Sequence, residues 1–206
     1  MFSDEALNLV LTYPKLVERL RSKPEEAAKV KKIFKEINGE FSPTVVKSAA
    51  KIIDATFAKL YDGVNLEVPS GMNFKDQKLK HHIVLVPNHQ SHADYIALTY
   101  SMFKNFDVAI RIAAGINLKV FPFGQFFGKC GAFFIRRSFT SDQLYKLTFE
   151  AYIYYLLQTG QVVEFFFEGG RTRTGKLLKP KYGLFQMLLE AHSQIKNARP
   201  LMFIPC

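Results

Sequence analysis

From residue 64 onward the chain repeats one texture, in which short apolar runs rich in Val, Ile and Phe are separated by longer stretches with helical spacing. The runs fall at 64–68, 83–86, 109–113, 132–135, 162–167 and 201–204, and the helical patterns at about 92–104, 141–158 and 182–193. Alternation of this kind predicts an α/β fold, a central mixed sheet flanked by helices. In such folds chemistry collects where strands run out into loops.

Residues 1–62 read differently. An apolar periodicity runs through Leu7, Val10, Leu11 and Leu16, and a second segment opens at Pro24 and ends at Asn38-Gly39. A third takes Ser42 as N-cap and Pro43 at its first position, continues through Val46, Ile52, Ile53, Phe57 and Leu60, and stops near Gly63. The expected organisation is therefore a helical segment at 1–62 and an α/β domain at 63–206. Lys29, Lys31, Lys32 and Lys35 read as a solvated helix face.

Composition narrows the partners. With 48% hydrophobic and 22% charged residues the chain is globular, and its 20 Phe should mostly be core, leaving some to line an apolar groove or touch lipid. The net charge of +10 attracts anions, yet the basic residues are scattered and none of the familiar nucleic-acid-reading patterns is present, so nucleic acid is not the expected partner. Cys130 and Cys206 lie far apart, without the spacing of a disulfide framework or a metal knuckle, which fits a reducing compartment. Residues 1–10 carry Asp4 and Glu5 and do not read as a signal peptide. Lys129 and Arg136-Arg137 interrupt the longest aromatic stretch, so membrane contact is expected to be peripheral.

Three segments carry chemistry. In the first, Val86-Pro87-Asn88-His89-Gln90-Ser91-His92-Ala93-Asp94-Tyr95, a buried-looking strand enters a helix. Five residues advance about 500° on a regular helix, so His89 and Asp94 would not share a face if both were helical. With His89 in the turn and Asp94 in the first helical turn, the carboxylate can fold back on the imidazole, fix its tautomer and leave the other nitrogen to deprotonate a hydroxyl. Two other readings compete: an N-cap at Asn88 or Ser91 beside a structural histidine, and a metal site of His89, His92 and Asp94.

The second segment, 131–137, is an apolar strand that delivers Arg136 and Arg137 at its end. A guanidinium suits phosphate because its planar fork donates two parallel charge-assisted hydrogen bonds. Alternation sends neighbours to opposite faces, so one arginine should reach the site and the other a surface ion pair. The third segment, 165–176, runs from three phenylalanines into Glu168-Gly169-Gly170-Arg171-Thr172-Arg173-Thr174-Gly175-Lys176. Its glycines permit close backbone approach and its cations suit an anion, although the spacing is not that of a Walker loop. A basic surface loop is the plainer reading.

In this order the three blocks resemble the glycerolipid acyltransferase superfamily, whose first motif is His, four residues, Asp. Residues 131–137 look like its second motif, 168–176 its third, and Ile204-Pro205 the start of its fourth. The third motif and residues 113–118 are more similar to the glycerol-3-phosphate and dihydroxyacetone-phosphate acyltransferases than to the lysophosphatidate branch. The resemblance covers residues 83–206, with Gln90 and Thr172 departing from the usual basic residue and serine. Because family members continue beyond the fourth motif, the chain is expected to be a fragment.

The resemblance implies His89 as general base and Asp94 as its orienting partner. Arg136, Arg171, Arg173 and Lys176 would hold the acceptor phosphate, Gly169 would allow close approach, and Glu168 would fix the loop or contact acceptor hydroxyls. The acceptor would be glycerol-3-phosphate, acylated at the sn-1 hydroxyl to lysophosphatidate in the first step of phospholipid synthesis, or dihydroxyacetone phosphate. Acyl-CoA or acyl-carrier protein would be the co-substrate, with no cofactor or metal, at the cytoplasmic face of an anionic membrane. Readings from other classes are a metal-dependent hydrolase and a non-catalytic lipid-binding module.

Overall fold

The computed structural model describes residues 2–60, 66–69, 71–91, 93–139 and 141–206. The N-terminal part is helical, with α1 (Phe2–Val10), α2 (Pro14–Ser22), α3 (Ala27–Ile37) and α4 (Pro43–Leu60). The first expected helix is two, because Pro14 cannot continue the amide ladder of α1 and instead starts α2. In α3 the residues Val30, Ile33, Phe34 and Ile37 are buried, a stripe at helical spacing that faces the rest of the molecule. The α4 start expected at Pro43 is found there.

The remainder alternates: α5 (Phe74–Lys80), β1 (His82–Val86), α6 (Ala93–Phe106), β2 (Ile110–Gly115), α7 (Phe123–Lys129), β3 (Ala132–Ile135), α8 (Gln143–Gln158), β4 (Val162–Glu164), α9 (Gly183–Ser193) and β5 (Leu201–Pro205). Side-chain caps fix two of these starts: Asn73 accepts from the N–H groups of Lys75 and Asp76, and Asp142 from that of Tyr145. The strands lie in the order β3-β2-β4-β1-β5. The α/β class is as expected, but every pairing is parallel where a mixed sheet was expected. Helices connect successive strands, and a parallel return needs such a crossover. Of the expected strand at 64–68, residues 64 and 65 lie outside the described residues and 66–68 are irregular.

Alternation divides the core. Val84, Phe133, Val163 and Phe165 face α8 and α9, whereas Ile83, Leu85, Ile110, Ile112 and Val162 face α5 and α6. Tyr145, Phe149, Tyr152, Ile153, Leu156 and Leu157 of α8 are all fully buried, because the N-terminal helices cover the side of α8 that the sheet does not. Val10, Tyr13, Leu16, Val30 and Phe34 therefore share one core with the sheet. The expected boundary near residue 62 lies outside the described residues. A glycine pair closes another seam, since a Cβ on Gly39 would meet the carbonyl oxygen of Ala132 at 1.9 Å and the Cα of Gly128 at 2.7 Å. Only glycine on both sides allows that backbone approach.

In an all-parallel sheet every strand ends at the same edge. Here β1 leads to His89, β3 to Arg136 and β4 to Glu168, so residues far apart in sequence leave the sheet along one rim.

Candidate active site

The site is built on the end of β1. The carbonyl of Val86 accepts from the N–H of Cys206 at 3.2 Å, and the N–H of Asn88 donates to the carbonyl of Cys206 at 3.1 Å. Pairing with the chain after β5 thus holds the backbone up to the residue before His89. The turn then closes into α6, whose first turn contains Asp94. Asp94 Oδ2 accepts from the N–H groups of Gln90 and Ser91, both at 2.8 Å, and lies 3.2 Å from His89 Nδ1. This is the arrangement expected of a histidine in the turn and an aspartate one helical turn on.

Burial alone would raise the Asp94 pKa, but the N–H donors of Ser91 and Gln90 and the His89 ring outweigh it and hold the carboxyl below its ordinary value. An ionised carboxylate only accepts hydrogen bonds, so Nδ1 carries the hydrogen and Nε2 presents its lone pair. The phenol oxygen of Tyr95 lies 3.0 Å from that Nε2. Burial pushes the Tyr95 hydroxyl up to about 12, so it stays protonated and donates. His89 is only 5% exposed. Its ring packs on Phe166 with centroids 4.2 Å apart, and Tyr95 meets the same Phe166 at 4.9 Å.

The chain after β4 forms the second wall. Glu168 is buried, and its Oε2 accepts from the N–H of Leu178 at 3.0 Å, tying the two ends of the glycine-rich loop together. Gly169 has φ +57°, a left-handed conformation that favours glycine, and its N–H returns to the carbonyl of Phe166 at 3.0 Å. The N–H of Thr172 donates to the carbonyl of His89 at 3.0 Å, so the loop is fastened to the turn that carries the dyad. Arg171, Arg173 and Lys176 are exposed.

Arg136 is placed otherwise than expected. Its Nε and Nη2 donate to the two carboxylate oxygens of Glu36 at 2.6 and 2.7 Å, its Nη1 donates to Asp142 at 2.8 Å, and its guanidinium lies 4.2 Å from the Tyr145 ring centroid. The hydrogen bonds to Glu36 hold its pKa above the ordinary arginine value. Of the two neighbouring arginines, the ion-paired one is Arg136, and Arg137 is exposed. Local alternation could not reveal this, because Glu36 lies 100 residues away in sequence.

Beside the dyad lies an apolar cavity of about 440 Å³. Val46 and Ile53 of α4, Tyr95 and Thr99 of α6, Ile112 of β2 and Phe126 of α7 are among its walls. Sequence reading missed the contacts of Tyr95 and Phe166 with His89, and expected an apolar groove without locating it. The one available signal was that Phe166 sits two residues after Glu164 and two before Glu168, a spacing that in extended chain returns a side chain to the same face. Among the described residues no group of three His, Cys, Asp or Glu is placed to hold a metal ion, and His92, the third member of the metal-site reading, lies outside them.

The sequence model of the Acyltransferase family matches residues 66–206. The chain belongs to the acyltransferase family. Among curated relatives, the glycerol-3-phosphate acyltransferase of Haemophilus ducreyi is 40% identical over 182 residues, 88% of this chain and 22% of that protein. That of Actinobacillus pleuropneumoniae serotype 5b is 40% identical over 190 residues, 92% of this chain and 22% of its own length. That of Pseudoalteromonas translucida is 38% identical over 174 residues, covering 84% and 21%. The chain thus spans about a fifth of the length of the relatives it matches. Among its described residues no helix is long and apolar enough to cross a membrane.

Proposed function

We propose that this region forms the catalytic part of a glycerol-3-phosphate acyltransferase, which moves a fatty acyl group from acyl-CoA or acyl-carrier protein to the sn-1 hydroxyl and yields lysophosphatidate. The observation that carries the reading is the oriented dyad, with Asp94 held by two backbone N–H groups and His89 Nε2 turned away from it. His89 Nε2 takes the proton of the acceptor hydroxyl as its oxygen attacks the thioester carbonyl. The new C–O bond forms, the C–S bond breaks, and the departing thiolate recovers the proton from the imidazolium. Asp94 steadies the cation in between, and general-base assistance of this kind is worth about a hundred- to ten-thousandfold.

Arg171 and Arg173, with Lys176 behind them, hold the acceptor phosphate on the loop fastened to the base, while Gly169 and Glu168 keep that loop in shape. Arg136 joins them only by exchanging its carboxylate partners. The apolar cavity takes the acyl chain, and no cofactor or metal takes part. The name shared by the relatives favours glycerol-3-phosphate over dihydroxyacetone phosphate.

The enzyme would act as a peripheral protein at the cytoplasmic face of an anionic membrane. Val120, Phe121 and Phe123 are strongly exposed, Phe121 to 78%, and the exposed Phe126 of the same stretch also borders the cavity. Aromatic groups beside the exposed Lys129 suit a headgroup boundary.

The test is acyl transfer by the intact protein from acyl-CoA to glycerol-3-phosphate, dihydroxyacetone phosphate and lysophosphatidate. Preference for the first is expected, and transfer to lysophosphatidate alone would refute the acceptor assignment. Phe121→Asp with Phe123→Asp should weaken sedimentation with vesicles containing phosphatidylglycerol by about tenfold. Undiminished binding would place the membrane contact elsewhere.

A further inference from the structure

Tyr95 belongs to two places at once. Its hydroxyl stands 3.0 Å from His89 Nε2, the lone pair that the reaction requires, and its ring is part of the wall of the apolar cavity. An acceptor hydroxyl needs that same lone pair, so it and the tyrosine hydroxyl cannot be accommodated together. Two roles are compatible with the contact: a relay that passes the acceptor's proton to His89, or a placeholder that gives way.

The surroundings favour the placeholder. A stepwise relay must pass through a tyrosinate, and burial opposes that anion, as does the negative charge of Glu164 and Asp94 when they are ionised; Arg171 acts in the opposite sense but is outweighed. The ring, by contrast, is partly exposed and meets Phe166 and His89 edge-on with centroids 4.9 Å apart, contacts that a small rotation can exchange. One side of the ring is apolar cavity, where an alkyl chain would press against it.

We propose that Tyr95 couples the two substrates, its hydroxyl capping His89 Nε2 until an acyl chain entering the cavity displaces the ring and opens the base to the acceptor. The walls suit the alkyl chain of the proposed acyl donor, since Val46, Ile53, Ile112 and Phe126 offer it no polar partner. The benefit is order, because the acceptor hydroxyl can reach the base only once the acyl donor is in place. Tyr95 is then a residue that makes the base available to the acceptor only when the donor is bound. The inference rests on the proposed acyl transfer for its purpose, and on the contact between Tyr95 and His89 for its existence.

Tyr95→Phe removes the cap and keeps the ring. Two measurements on the intact protein decide the matter. The first needs no turnover: the rate at which diethylpyrocarbonate modifies His89, read by mass spectrometry of the peptide that contains it, should rise about fivefold in Tyr95→Phe. An unchanged rate overturns the proposal whether or not the protein transfers acyl groups. The second repeats that labelling with saturating palmitoyl-CoA: the wild-type rate should rise toward that of Tyr95→Phe, and a wild-type rate that does not rise overturns the displacement. A hundredfold fall in the kcat for transfer to glycerol-3-phosphate in Tyr95→Phe, with the acceptor KM unchanged, would make the hydroxyl a relay and overturn the placeholder. Tyr95→Ala serves if the phenylalanine variant misfolds, with the same two readouts and a shift toward longer acyl chains.

Discussion

Two strands of this sheet run out into arginine, and the structure uses the residue differently at each exit. After β3, Arg136 is enclosed by Glu36, Asp142 and the Tyr145 ring, and so joins α3 to the start of α8. After β4, Arg171 and Arg173 stand exposed on a loop fastened through Thr172 to the turn that carries His89. A cation surrounded by carboxylates holds structure together, whereas one left open on a braced loop can bind. Residue type alone does not separate the two; partners do.

The comparison can be broken most severely at the group the β4 exit serves. His89→Ala should lower kcat for acyl transfer about a thousandfold, with secondary structure by circular dichroism unchanged, because the base is lost while the fastening through its backbone carbonyl remains. Unaltered turnover would remove the reason to call either exit catalytic.

The next effect concerns carboxylates within the β4 exit. Glu168 has its loop partner, but Glu164 is fully buried and neither of its oxygens has a hydrogen-bond partner among the described residues. Burial, and then the charge of Asp94, push the Glu164 pKa up to about 8. With its folded value raised above its unfolded one, its contribution to stability is fully present below about pH 4.5 and is lost as pH rises through about 8. Glu164→Gln should therefore differ little from wild type at pH 5 and be more stable by about 5 kcal/mol at pH 9, read from urea midpoints. Parallel pH profiles for the two proteins would mean that Glu164 finds a partner in solution.

Smaller effects sharpen the distinction between the arginines. Arg136→Ala should cost about 2 kcal/mol of stability, since it leaves two part-exposed carboxylates unpaired and removes a ring contact, and should leave the acceptor KM unchanged. Arg171→Ala with Arg173→Ala should do the reverse, raising the acceptor KM about tenfold with no change in thermal midpoint. If Arg136→Ala raises KM as well, phosphate recognition extends to the β3 exit.

What was legible in the sequence was local. His89 and Asp94 sit in one strand–turn–helix unit, so spacing and helix geometry were enough to anticipate their pairing. Five of the six strands read from the sequence appear, because buried parallel strands are nearly continuous apolar runs. Hidden features depended on distant partners. Glu36 is what fixes Arg136, α4 and α7 complete the cavity around Tyr95, and the N-terminal helices supply Val10, Tyr13 and Phe34 to the common core. The sheet was expected to be mixed because strand texture does not record direction; only the crossovers fix it. Pro14 was a local signal that a periodicity spanning two helices concealed.

The bond from the Thr172 N–H to the His89 carbonyl makes the proposed phosphate loop and the proposed base mechanically one unit. A loop tightened by a bound phosphate would damp the motion of the histidine backbone with it, and the Thr172 amide would record that tightening as slower exchange with deuterium. A spectator proton thus offers a gauge of how firmly the His89 turn is held, legible without following the reaction itself.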